Sequence, residues 1–199
     1  MGLMVAFLAV AGASCSVARA PAAPPPQIPT IVAPTSYTRP PVMVDRPLPD
    51  DCEVVVPAEQ MNTALGQKLP GEPKLIVGVP QASVGRTGKI DCYYGIPDGK
   101  PLGAAVVVVG LAAYVDEATA KNRVTESVDA ERQDGATVSE IDVGKQKGTL
   151  VATKDERLVM GSLGKTTFVV RAKSGVLPDD KLGPVLASLA FQSMTVPTS

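Results

Sequence analysis

Ten of the nineteen prolines fall between Ala20 and Pro49, with Pro24-Pro25-Pro26 and Pro40-Pro41 as the densest points. Each proline fixes its own φ and removes a backbone donor, so a stretch this rich in them cannot complete a helix or a sheet ladder. It also carries too little apolar surface to offset the entropy of ordering. The segment reads as an extended, partly polyproline tether, with a reach of up to about 90 Å at about 3.1 Å per residue. Pro26 and Pro29 have the PxxP spacing of an SH3 ligand, a pattern that arises freely in such runs. Everything able to build a core lies C-terminal to the tether, and the chain divides into residues 1–14, residues 15–49 and one globular domain over 50–199.

Residues 1–14 form an apolar run ending in small residues, which is the texture of a signal-peptide h-region and too short to span a bilayer. Gly12-Ala13-Ser14-Cys15 resembles the lipobox of bacterial lipoproteins. The resemblance implies cleavage before Cys15 and acylation of its thiol and new amino group. Ala18-Arg19-Ala20 has the small-x-small form of an ordinary signal-peptidase site, which leaves plain secretion as the alternative.

The two remaining cysteines, Cys52 and Cys92, are an even pair inside an exported domain, where a disulfide is the default. Closing the loop between them is worth about 4 kcal/mol in the chain-entropy picture. A redox role needs close spacing such as Cys-x-x-Cys, which the chain lacks. The chain has no histidine, which excludes Ser-His and Cys-His triads, His proton shuttles, His-ligated haem and His-containing zinc sites. Nineteen Lys and Arg against twenty Asp and Glu give no global attraction to nucleic acid. No cofactor and no nucleic-acid partner are expected.

Hydrophobic periodicity organises residues 50–199. Pro57-Ala58-Glu59 opens a helix with Met61 and Leu65 on one stripe, and Pro70-Gly71 ends it. Lys74–Val79 and Lys89–Tyr94 read as strands, separated by the turn-rich Gly85-Arg86-Thr87-Gly88. Leu102–Val115 is uncharged throughout, and both alternate rows are apolar, which predicts a central strand buried on both faces. Asp116 caps a long helix with Ala120, Val124 and Val128 on one side and the Glu117/Lys121 pair on another. Thr137–Val143, Gly148–Thr153, Arg157–Leu163 and Thr166–Ala172 are strands whose short links allow only an antiparallel meander. A last helix starts at Pro178-Asp179-Asp180 with Leu182, Val185, Leu186 and Leu189 on one face, and Pro184 argues for a later start. The fold class is α+β: a twisted, mainly antiparallel sheet with helices packed on it, in the order α-β-β-β-α-β-β-β-β-α.

Catalytic motifs give way to plainer readings. Ser162-Leu163-Gly164-Lys165 matches Ser-x-x-Lys, but falls between two strands where a helix turn is required. Gly164-Lys165-Thr166 ends like a phosphate-binding loop, yet Val159 stands where the leading glycine belongs and a strand follows. The carboxylate pairs Asp50/Asp51, Asp155/Glu156 and Asp179/Asp180 sit at edges and turns, where such residues cap helices or face water. No Asp-x-Asp-x-Asp spacing supports calcium, and no metal site is assigned. Two residues are left as candidates for a partner contact. Tyr93 points to the face opposite Cys92 and Tyr94, and Arg86 lies on the glycine-flanked turn.

The short signal, the cysteine after small residues, the Pro/Ala-rich tether and Cys92-Tyr93-Tyr94 on a strand together resemble mycobacterial-type actinobacterial lipoproteins of unknown function. The resemblance implies an exported protein on the outer face of the cytoplasmic membrane, held there by lipid on Cys15. The expected role is that of a non-enzymatic binding or interaction module for an envelope protein or small ligand. The alternative is a carrier of an apolar envelope molecule, suggested by an aliphatic-rich domain with few bulky aromatics to fill it, and marked by a large apolar cavity.

Overall fold

A computed structural model describes residues 41–196, so the signal segment, Cys15 and most of the Pro-rich stretch lie outside the described residues. Seven strands form one sheet: β1 (Lys74–Gly78), β2 (Arg86–Tyr94), β3 (Val107–Tyr114), β4 (Thr137–Val143), β5 (Gln146–Ala152), β6 (Glu156–Leu163) and β7 (Thr166–Lys173). Their spatial order is β1-β2-β3-β7-β6-β5-β4, with every neighbouring pair antiparallel. Four helices accompany them: α1 (Cys52–Val55), α2 (Ala58–Leu65), α3 (Glu117–Gln133) and α4 (Asp179–Ser193). The α+β class and the order of elements read from the sequence hold, with the short α1 added in front. Among the described residues no helix is long and apolar enough to cross a membrane.

The connections follow from turn chemistry. Gly144 and Gly164 take positive φ in the two-residue links β4–β5 and β6–β7, the geometry that reverses a chain in a tight hairpin. Ser162 and Leu163 therefore end one strand while Gly164 and Lys165 make the turn, and the Ser-x-x-Lys spacing lies on no helix. The one long excursion runs from β3 through α3 to the far edge at β4, after which the meander returns β7 to the side of β3. β3 is thus flanked by β2 and β7 along its length.

One face of the sheet is sealed. Ile90, Cys92 and Tyr94 of β2, Val107, Val109 and Leu111 of β3, and Phe168, Val170 and Ala172 of β7 pack with Met61 and Leu65 of α2 and with Leu182, Leu186 and Leu189 of α4. The Cys52–Cys92 disulfide forms as expected and pins α1 to β2, with its Cα atoms 5.6 Å apart. The Tyr94 hydroxyl beside it donates to Val56 O at 2.8 Å and also lies 3.1 Å from Cys52 O. α4 starts at Asp179 and carries Pro184 inside it on the solvent side, earlier than the proline suggested. Burial of seven of its residues outweighs the roughly 3 kcal/mol that a proline costs a helix interior.

The opposite face carries α3 alone. The Asp116 carboxylate caps it by accepting from Thr119 N at 2.7 Å, and the Glu117–Lys121 pair closes at 2.6 Å on its outer side. Ala120 and Val128 of the expected stripe are buried, and Val124 is half-buried. This single helix rests mainly on β6 and β7 and leaves part of the sheet uncovered. The expectation of a strand buried on both faces over Leu102–Val115 holds for most of β3, where Gly110, Ala112 and Tyr114 of the α3-side row are buried, but its bounds are corrected. Leu102–Ala104 is a single 3-10 turn, the strand is Val107–Tyr114, and Val108 on the α3 side is only half-buried.

Candidate functional site

The uncovered part of the α3 face is the floor of a groove of about 350 Å³, inside the size range of small-ligand sites. Period-two alternation builds that floor, because residues that alternate with the core row point the other way. On β2 these are Lys89, Asp91 and Tyr93; on β3, Ala112, Gly110 and Val108; on β7, Thr167, Val169 and Arg171. The register places them in three cross-strand rows: Lys89–Ala112–Thr167, Asp91–Gly110–Val169 and Tyr93–Val108–Arg171. Arg123, Val124 and Ser127 of α3 form one wall, and Arg86 and Tyr114 close one end. A second hollow of about 140 Å³ shares Tyr93, Val108 and Arg171 and runs on toward Leu102 and Ala105.

Gly110 gives the floor its shape. A Cβ on residue 110 would lie 2.7 Å from Asp91 Oδ1, so the absent side chain is what lets that carboxylate lie across the strand. Asp91 in turn pairs with Lys89 at 2.8 Å, and their charges offset one another. Three guanidinium groups remain. Arg171 lies 3.9 Å from Glu156, and Arg123 lies 3.2 Å from the exposed Glu126. Arg86 reaches only Val79 O, at 3.4 Å, while its buried Nε has no hydrogen-bond partner among the described residues.

Both partner-contact candidates read from the sequence line this groove. Tyr93 does so from the face expected. Arg86 does so from a different structure than expected: the turn before it is the 3-10 segment Ala82–Val84, and Arg86 is the half-buried first residue of β2. A register shift between Arg86 and Gly88 sets Arg86 opposite Tyr114. Cys52 and Cys92 lie on the other face, in the core, and Cys15 lies outside the described residues.

Lys89, Arg123 and Arg171 were not singled out from the sequence. For Lys89 the signal was present, since Lys89, Asp91 and Tyr93 form a polar row alternating with Ile90, Cys92 and Tyr94. Arg171 carries the same signal more faintly, between Val170 and Ala172. Arg123 carries none, because an arginine on a polar helix is ordinary. The carboxylate pairs take structural places: Asp51 caps α1 by accepting from Glu53 N at 3.0 Å, and Asp179 pairs with Arg157 at 3.0 Å. Among the described residues no group of three or more Cys, Asp or Glu is arranged to hold a metal ion.

No protein-family model matches the chain, and no curated protein sequence matches it. Among solved structures it is similar to the extracellular domain of PknH from Mycobacterium tuberculosis, with 13% sequence identity and a TM-score of 0.44, over 71% of this chain and 93% of that one.

Proposed function

We propose that the chain is a non-enzymatic binding module that works outside the cytoplasmic membrane, held there by lipid on Cys15, and that the groove on the α3 face is its binding site. The observation that carries the reading is the inequality of the two sheet faces. One is closed by three helices over a continuous apolar core, while the other gathers Tyr93, Tyr114 and charged side chains around open space. Charged and aromatic groups gathered around a concavity, with Arg86, Lys89, Asp91 and Tyr93 half-buried, are characteristic of ligand sites. The Cys52–Cys92 disulfide suits an oxidising compartment and supports export. A carrier of an apolar molecule fits less well, because the available space is open and lined by Arg, Lys and Asp. The absence of histidine and of any catalytic motif supports binding over catalysis.

The test is recovery of bound material. Full-length protein purified from its native envelope is compared with a Val108→Trp variant that fills the groove, both shown to be folded by their thermal transitions. The wild type is expected to release a small molecule or retain a crosslinked partner that the filled variant lacks. Equal recovery from both removes the groove from consideration. For the anchor, mass spectrometry of the mature N-terminus is expected to show acyl chains on Cys15, and an exported protein with an unmodified Cys15 overturns that part.

A further inference from the structure

We infer that the ligand of this groove is a small organic oxyanion, with a carboxylate or phosphate head and a compact apolar body. This rests on the groove being the binding site and adds the chemistry of what enters it. Four cations line the hollow, Arg86, Lys89, Arg123 and Arg171, against the carboxylate of Asp91 in the floor and those of Glu126 and Glu156 at the rim. The excess is local, because acidic residues outnumber basic ones over the chain as a whole. A local excess of positive charge in a concavity favours anions there.

The three arginines differ in how far they are already satisfied. Arg123 and Arg171 lean on rim carboxylates, Glu126 at 3.2 Å and Glu156 at 3.9 Å, the second too long for a hydrogen bond. Among the described residues Arg86 is the least satisfied, with a buried Nε that meets no acceptor and a terminal nitrogen 3.4 Å from Val79 O. The Nε is sealed from solvent, so an entering oxyanion meets Arg86 through its terminal nitrogens, in charge-assisted bonds. A guanidinium presents a planar fork that matches two oxygens at once, which favours carboxylate or phosphate over a halide or a neutral amide. The apolar body follows from the floor. Val108 and Ala112 flank Gly110, with Tyr93 and Tyr114 toward the two ends, a shallow surface suited to a ring or short branched chain.

The experiment is an amide-resolved NMR titration of the ¹⁵N-labelled full-length chain with phenyl phosphate and with benzoate, using inorganic phosphate and benzylamine as controls. Phenyl phosphate or benzoate is expected to shift the amides of Tyr93, Gly110 and Val169, and the preferred one identifies the head group. Inorganic phosphate is expected to bind at least tenfold more weakly than phenyl phosphate. Arg86→Gln and Arg171→Gln, each checked for an unchanged thermal transition, are expected to weaken binding at least tenfold. Raising salt to several times the starting concentration is expected to weaken it further. The inference is overturned if benzylamine binds as well as the anions, if the shifts fall outside the groove, or if both glutamine variants bind unchanged. If anions fail while Val108→Trp still abolishes recovery of native material, the ligand class is wrong and the site stands. If that recovery also survives Val108→Trp, the site itself is wrong.

Discussion

At the scale of single residues, Tyr94 shows how one side chain can tie the staple to the core. Its ring is buried, and its hydroxyl lies between Val56 O and Cys52 O, so both ends of α1 meet β2 at one phenol. Burial, and then the nearby Glu53 charge, push its ionisation well above the ordinary value of 10.0. The folded state therefore holds this proton more tightly than the unfolded state does. Stability from that difference is fully present below about pH 10 and is lost as pH rises toward the folded value, with a slope of up to about 1.4 kcal/mol per pH unit. Tyr94→Phe is expected to cost about 1–2 kcal/mol at neutral pH, because a buried carbonyl loses its donor. It is also expected to flatten the alkaline limb of the stability curve relative to wild type. Urea unfolding of both proteins at pH 7, 9, 10 and 11 checks this, and parallel losses in the two would show that Tyr94 does not carry the alkaline transition.

At the scale of elements, Pro184 separates what local sequence dictates from what packing dictates. A proline six residues into α4 removes the N–H that would bond to the carbonyl of Asp180, which argues for a helix starting later. Leu182 and Gly183 are nevertheless buried in helical conformation ahead of it, because α4 covers β6 and β7 and the core needs them there. Pro184→Ala is expected to stabilise the protein by about 1–2 kcal/mol, the restored helix bond being partly offset by greater freedom of the unfolded chain. A melting temperature that falls in this variant would mean the proline shapes the helix to fit the sheet. The same contrast explains what the sequence revealed. The strands were legible because Ile90, Cys92 and Tyr94 alternate with Lys89, Asp91 and Tyr93, and the meander because its links are short. α1 was hidden, since Cys52–Val55 is short and rich in β-branched residues, and only the Asp51 cap, the disulfide and the core hold it helical. The burial of β3 on both faces was legible for most of the strand, whereas the opening at Val108 was hidden, since it depends on where α3 lies, which the pattern along β3 does not encode. The groove was half legible: Tyr93 and Arg86 stood out locally, whereas their meeting with Arg123 and Arg171 depends on β3–β7 pairing between distant segments.

At the scale of the whole molecule, the two ends of the described stretch are laced together by residues that composition assigned to the tether. Pro47 and Pro49 make this stretch look like spacer, yet Met43 and Leu48 pack on the core and Pro49 is buried. Val44 N donates to Met194 O at 2.9 Å, and the Arg46 guanidinium donates to Thr195 O at 2.6 Å. Asp45 reaches the β6–β7 turn, where its carboxylate accepts from Lys165 N at 2.9 Å and from the buried Thr166 hydroxyl at 2.8 Å. These contacts join the start of the body, the turn after β6 and the residues after α4, so the strap closes the fold at the side from which a tether would pull. A chain beginning at Asp50 is therefore expected to be less stable than one beginning at Pro41 by roughly 3 kcal/mol, from lost apolar burial and hydrogen bonds. For a domain of this size that is a fall of roughly 6–12 °C in melting temperature. Asp45→Ala in the longer chain is expected to give part of the fall, since it strands the Thr166 hydroxyl and the Lys165 amide together. Calorimetry of the three proteins settles the matter: equal melting temperatures would return residues 41–49 to the tether, whereas a graded loss makes them part of the domain that bears its load.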